Sequence, residues 1–344
     1  MAEVSDILIE LCKLPGPSSY EEPVTARICE LLKPYVDESW VDVMGNVIAV
    51  RRCGTQGAKK LLFDAHIDEI GFVITGSQDG FLRFERLGGL DARTLPASTV
   101  EILTQPPIYG VIAVMPPHVL KREDMEKVVK IEDLFIDAGL TKEEAEAIPL
   151  GTPGVMRGDL RLFGENLICG KAIDDRAGFA AILKALELLS DTKLDVDLYI
   201  MASSQEEVGV RGATSGVFGI APDWSVVIDV GHGKTPDAKP LEAPEILDGG
   251  IVINLGPNMN KDFTDSIIKL AVENEIKHQI EVSAGGSSGT NARAIQVSRE
   301  GVATSLLSIP LKYMHTQVEV ASINDIEAAA KLMCETAKSL KGGA

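Results

Sequence analysis

Apolar runs in this chain repeatedly end in a histidine or an acid: His66 and Asp68, Asp174 and Asp175, Glu206 and Glu207, Asp229, and His315. Buried strands that deliver such residues to their ends are how an α/β sheet builds a site, so the recurrence restricts fold and chemistry together. The centre of the pattern is Gly170-Lys171-Ala172-Ile173-Asp174-Asp175-Arg176-Ala177-Gly178, followed by a strongly helical stretch over 179–189. Two adjacent carboxylates at a strand-to-helix turn repel each other unless a positive charge lies beside them. Alone, such a turn reads as a solvated loop with an N-capping Asp. With the other strand ends in view a positive charge is required, and either Arg176 or a metal ion supplies it.

Apolar residues Val4, Ile7, Leu8 and Leu11 predict a helix over 4–13, ended by Leu14-Pro15-Gly16-Pro17. A second helix over 22–32 and a hairpin over 38–51, turning at Met44-Gly45-Asn46, lead to a short buried strand over 60–64. From Gly71 to Gly164 the texture changes to short strand-like runs, punctuated by Gly88-Gly89, Pro106-Pro107 and Pro116-Pro117. Thr141-Lys142-Glu143-Glu144 fits a capping box. This segment predicts a small barrel-like β domain inserted between His66/Asp68 and Asp174. Beyond Leu167, strands and helices alternate up to a long final helix over 323–340. The expected fold is α/β, a domain built on a mixed sheet formed by 1–68 and 165–344 with helices on both faces. The inserted β domain covers 69–164.

Lysine and arginine number 33 against 51 acids, and the net charge of −18 argues against nucleic acid and anionic membrane surfaces. No apolar run approaches the length that spans a bilayer. The acidic start Met1-Ala2-Glu3-Val4-Ser5-Asp6 is unlike a signal peptide, so a cytoplasmic protein is expected. The five cysteines are scattered and never spaced Cys-x-x-Cys, which disfavours disulfides and a thiolate zinc site. A metal in this chain is held by imidazole and carboxylate.

On a strand His66 and Asp68 point the same way, so Asp68 can orient a metal-ligating His66. Glu206 and Glu207 are adjacent, which suits a glycosidase poorly because its two carboxylates must flank one bond. A division into one ligand and one general base fits better. Asp229 ends the apolar stretch 225–228, and His315 comes after a strand over 302–309. Lone histidines are more often structural, and His118 and His278 read that way. Two histidines and at least three acids on successive strand ends match a two-metal hydrolase in which one carboxylate bridges the ions. No Gly-x-Gly-x-x-Gly fingerprint competes with it.

Seven stretches together resemble the M42 family of metallo-aminopeptidases, the group of TET and glutamyl aminopeptidases. They are Asp64-Ala65-His66-Ile67-Asp68-Glu69-Ile70-Gly71, Pro116-Pro117-His118, Ile131-Glu132-Asp133-Leu134-Phe135-Ile136-Asp137, Lys171-Ala172-Ile173-Asp174-Asp175-Arg176, Gln205-Glu206-Glu207-Val208-Gly209, Asp229-Val230 and Tyr313-Met314-His315. The resemblance implies that the mixed-sheet domain is a zinc-peptidase-like catalytic domain with two divalent ions per subunit, zinc or cobalt, bridged by Asp174. His66 and Asp229 would complete one site, and Glu207 and His315 the other. It further implies Glu206 as general base on a metal-bridging water and Asp68 as the residue that orients His66. Peptide substrates are implied, as are dimers formed through the inserted domain and assembled into a dodecamer. The chain departs from the family in having Asn291 where Asp is usual and Thr316-Gln317 where Ser-Pro is usual, both expected near the substrate pocket. The expected activity is removal of N-terminal residues from peptides. The alternatives are an N-acyl amino acid amidohydrolase on the same metal core, as in the M20 peptidases, and a non-catalytic assembly protein that kept the fold.

Overall fold

Helices α1 (Val4–Lys13) and α2 (Glu22–Leu32) precede strands β1 (Glu38–Val41), β2 (Val47–Arg51) and β3 (Lys60–His66). These come from a computed structural model that describes residues 3–122, 127–236, 238, 245–283 and 289–342. Next come β4 (Gly71–Gln78), β5 (Phe81–Leu87), β6 (Thr99–Ile102), β7 (Ile108–Ala113), β8 (Phe135–Asp137), α3 (Lys142–Glu146) and β9 (Pro153–Met156). The chain continues through β10 (Arg161–Phe163), β11 (Leu167–Gly170), α4 (Ile173–Leu188), β12 (Asp197–Ser203), α5 (Arg211–Ile220) and β13 (Trp224–His232). It ends with β14 (Ile251–Leu255), α6 (Lys261–Glu273), β15 (His278–Val282), α7 (Ala292–Ile295), β16 (Ala303–Lys312), β17 (Glu319–Ser322) and α8 (Ile323–Ser339). No helix among the described residues is long and apolar enough to cross a membrane.

One 11-stranded sheet runs β1-β2-β12-β3-β13-β16-β17-β11-β10, with β14 paired to β16 and β15 beyond it. Its middle strands β12, β3, β13 and β16 are parallel neighbours. Side chains alternate across a strand, which sorts these runs into two cores. Leu61, Phe63, Leu198, Ile200, Val226 and Ile228 pack toward the α1, α4 and α8 side. Leu62, Tyr199, Met201 and Val227 pack on the opposite face with Ala213 and Val217 of α5 and Ile295 of α7. Helix α4 is buried nearly all round because the sheet, α1 and α8 enclose it. It begins earlier than the stretch 179–189, at Ile173, but Asp174 and Asp175 keep non-helical backbone angles. Strands β10, β11, β14 and β17 are too short to show a pattern of their own and exist through their pairing.

Strands β4-β5-β8-β7-β6-β9 close into a barrel around Phe72, Ile74, Leu82, Phe84, Val100, Ile112 and Ile136. Helix α3 opens on the expected capping box, in which Thr141 and Glu144 each accept the other's backbone N–H. Strand β10 pairs with β11 in the large sheet, so the expected insertion over 69–164 overlaps the sheet by that one strand. Strand β9 closes the barrel, since Gly154 faces Phe72 of β4 on one side and Ile102 of β6 on the other. A Cβ on Gly154 would land on the Phe72 ring and 2.9 Å from the Glu101 carbonyl oxygen. Gly154→Ala is therefore expected to destabilise the protein by about 1–3 kcal/mol in denaturant unfolding. An unchanged midpoint would contradict closure at this residue.

Candidate metal centre

Parallel strands deliver the residues beyond their carboxyl ends to a common crevice. Strands β3 and β13 pair only from Leu61–Trp224 to Asp64–Val227, and the same offset sets His66 opposite Asp229 just past the end of that ladder. His66 Nε2 lies 3.9 Å from Asp229 Oδ1 and 3.0 Å from Asp174 Oδ1. Strand β12 ends at Ser203, level with His66, and the chain then turns through Gln205 (φ 53°) to Glu206 and Glu207. His315 comes after β16, and its Nε2 lies 3.1 Å from Glu207 Oε1 and 3.3 Å from Asp174 Oδ2. Asp174 thus turns one oxygen to each histidine. The peptide bond from Asp174 to Asp175 is cis.

Two overlapping groups result, His66/Asp174/Asp229 and Asp174/Glu207/His315. Within each, the candidate ligand atoms all lie within 4.8 Å of one another. Both groups open on a cavity of ≈ 670 Å³ whose wall includes Glu206, His232, Asn254, Glu281 and Arg293.

Arg176 does not neutralise the neighbouring acids. It is fully buried, donates to the carbonyls of Leu11 (2.7 Å) and Leu14 (2.6 Å), and pairs with Glu69 (3.1 Å). Lys171 is likewise held by Glu69, at 2.6 Å. Among the described residues the ion-pair partners of Asp174, Glu207 and Asp229 are histidines alone. Asp175 uses Oδ1 to accept the Gly178 N–H, and its Oδ2 is buried without a partner.

Protonation reflects this crowding. Burial works to lower the His66 pKa, but hydrogen bonds to Asp174 and Asp68 outweigh it and hold the ring well above the imidazole norm. Burial also opposes the charge on His315, and hydrogen bonds to Asp174 and Glu207 push it up to about 11. Asp174 is the reverse case: burial would raise it, yet the two histidines bring it well below the usual carboxylate range. Its neighbours have less of that help, His315 lowering Glu207 and His66 lowering Asp229 without offsetting burial. Burial lifts Asp229 to about 7 and Glu206 to about 9, and raises Glu207 as well.

Asp68 stands beside His66, whose Nδ1 faces the Asp68 carbonyl oxygen at 3.2 Å and its Oδ1 at 3.4 Å. The Asp68 carboxylate also accepts the N–H groups of Glu206 (2.9 Å) and Glu207 (3.2 Å) and the hydroxyl of Ser18 (2.6 Å). That second task is not visible in sequence, where these residues are far apart. Asn254, Glu281 and Arg293 on the cavity wall also escape sequence reasoning, for lack of any motif. Buried Glu319 leaves one signal, an acid in the apolar strand four residues after His315.

The two departures do not line this cavity. Asn291 is buried beneath it, donating to Asp64 (2.9 Å) and Ser203 (2.7 Å), while Gln317 borders a smaller hollow with Leu90, Met156 and His315. His278 hydrogen-bonds the Ile276 carbonyl through Nδ1 and His118 is exposed, so both stand apart from the centre.

The M42 glutamyl aminopeptidase family matches residues 45–332. The chain is 35% identical to the lysyl aminopeptidase of Pyrococcus furiosus, over 98% of this chain and 97% of the relative. It superposes on an aminopeptidase from the archaeon Desulfurococcus kamchatkensis with a TM-score of 0.91 at 36% identity, covering 98% of this chain and 95% of the other. The TET1 peptidase of Pyrococcus horikoshii, which can assemble into a tetrahedron or a large octahedral shell, superposes with a TM-score of 0.87 at 32% identity, covering 98% and 100%. With a family match over most of its length and relatives aligned end to end, this chain belongs to the M42 glutamyl aminopeptidase family.

Proposed function

We propose that the chain is a dinuclear metal-dependent aminopeptidase that removes N-terminal residues from peptides. The observation that carries this reading is Asp174, whose two oxygens face His66 and His315 and so join two ligand groups into one centre. A set of imidazole and carboxylate donors, two histidines among three acids, fits divalent zinc or cobalt. Bound there, such ions would polarise the scissile carbonyl and make a nearby water a stronger acid.

The chain's own residues supply the rest. Glu206 lines the cavity without belonging to either ligand group, which leaves its carboxylate free for proton transfer. It accepts a proton from the attacking water as the oxygen–carbon bond forms. It returns that proton to the amine nitrogen as the carbon–nitrogen bond breaks. Asp68 fixes the backbone of Glu206 and Glu207 together, so base and ligand keep one relative position. The alternative, an N-acyl amino acid amidohydrolase, is not favoured, because the relatives are named aminopeptidases.

The barrel, reaching from 71 to 156, gives no residue to either ligand group and exposes Tyr109, Val111, Val114 and Met115. We assign it to self-association, with dimers building a dodecamer; a TET1 relative is a dodecamer. Light scattering is expected to find a particle of many subunits, and a strict monomer at micromolar concentration would contradict the assignment.

The activity is tested with aminoacyl-p-nitroanilides and their N-acetylated counterparts. The metal-loaded protein is expected to cleave only those with a free amine. Glu206→Gln should lower the rate about 10²–10⁴-fold with both ions retained, whereas Glu207→Gln should lose metal. Loss of metal in the first variant and retention in the second would reverse the two roles.

Metal affinity should also depend on pH. Both histidines have raised pKa values in the metal-free protein, so at neutral pH each must give up a proton before its Nε2 can bind an ion. Affinity is therefore expected to fall as pH falls from 9 to 6, by about 10–100-fold per unit. Competition with a chelator of known affinity measures this, and a flat profile would show that the rings carry no such protons.

A further inference from the structure

Glu319 opens β17 and sits opposite Gly170 at the end of β11. It is 2% exposed, yet among the described residues its hydrogen bonds all come from backbone N–H groups. Oε2 accepts from Ile173 (2.8 Å) and Asp174 (3.2 Å), and Oε1 accepts from His315 (2.9 Å). One planar carboxylate therefore ties together two segments that lie far apart in the chain, each bearing a ligand of the Asp174/Glu207/His315 group.

Neither segment is held by regular structure of its own. Ala172 is left-handed (φ 57°), and Tyr313 and His315 also have positive φ (59° and 62°). Such backbone is unfavourable for residues with a Cβ and persists only where the surroundings hold it. Glu319 offers one carboxyl oxygen to each segment.

We propose that Glu319 is a positioning residue for metal binding, setting the spacing between Asp174 and His315 without touching ion or substrate. The assignment rests on the two-ion reading of the site. It also predicts an asymmetry between the two ligand groups. A glutamine at 319 keeps the shape but offers one acceptor, because its other terminal atom is an NH₂ that would face an N–H. The carbonyl oxygen is best placed on the side with two donors, Ile173 and Asp174. The NH₂ then falls against the His315 N–H and displaces that loop. The His66/Asp174/Asp229 group is left intact.

The test uses the full-length protein stripped of metal and titrated with cobalt against a chelator. Wild type is expected to take two ions. Glu319→Gln should keep one tightly and bind the second about 10–100-fold more weakly, the usual cost of losing a support behind a metal ligand. The ion that remains should be lost on adding His66→Ala and kept on adding His315→Ala. Unchanged affinity for both ions overturns the proposal. So does equal weakening of both with a lowered melting temperature, which is what a merely structural role predicts. Wild type that binds no cobalt would refute the two-ion reading and this proposal with it, and that failure shows before any variant is made.

A second measurement does not depend on the variant folding. In metal-free wild type, the amides of Ile173, Asp174 and His315 are expected to resist hydrogen exchange. Exchange as fast as in exposed loops would overturn the proposal.

Discussion

Asp174 places a charge in the interior that no lysine or arginine among the described residues relieves, and much of the catalytic half of the chain is arranged around that fact. Moving a carboxylate out of water is unfavourable unless something compensates it. Here two imidazoles do so, one on each oxygen, and Asp229, Glu207 and Glu206 crowd the same volume. Acids so close cannot all be ionised, and the opposite displacements of Asp174 and its neighbours express that. The metal-free site balances itself with protons. On the proposed reading divalent ions would replace those protons, so the crowded acidic pocket is one suited to metal rather than a fault in the core.

The supports behind the centre share one design. Asp68 accepts the N–H groups of Glu206 and Glu207, and Glu319 accepts those of Ile173, Asp174 and His315. In each case a buried carboxylate holds the backbone of residues of the candidate site, leaving their side chains free. Arg176 and Lys171 serve the same end from further back, by pairing with Glu69. The cations of the Asp174 turn are thus committed to the scaffold and withheld from the site.

Much of this was legible because a parallel sheet turns a local statement into a spatial one. An acid or histidine at the end of an apolar run is a feature of a few consecutive residues. Once β3, β12, β13 and β16 lie side by side, those ends meet. The barrel was legible for a similar reason, since short runs between Gly and Pro turns cannot make long helices. The features that stayed hidden depend on pairings across long stretches of chain. Arg176 stands next to Asp175, yet its guanidinium reaches Leu11 and Leu14. Asn291 gives no local sign that its amide bonds Asp64 and Ser203 under His66. Strands such as β11 and β17 carry too little pattern to be read until a partner is known.

The barrel is chemically silent but not remote from the centre. The chain leaving β5 crosses directly over the Glu207/His315 side. Gly88 has φ 74°, and a Cβ there would come within 3.2 Å of the Glu207 Cβ. A Cβ on Gly89 would fall 2.7 Å from His315 Cε1. Residues with side chains cannot fit at this crossing without moving a ligand, so the glycines let the insertion lie against the site. The two ligand groups consequently differ in their surroundings. His66 and Asp229 lie on adjacent strands of the large sheet, deep in its core. Glu207 and His315 lie on turns, one held by Asp68 and the other by Glu319, and both are roofed by the barrel's own backbone. The geometry of this second group therefore depends on how the inserted barrel is seated, whereas that of the first depends on the sheet.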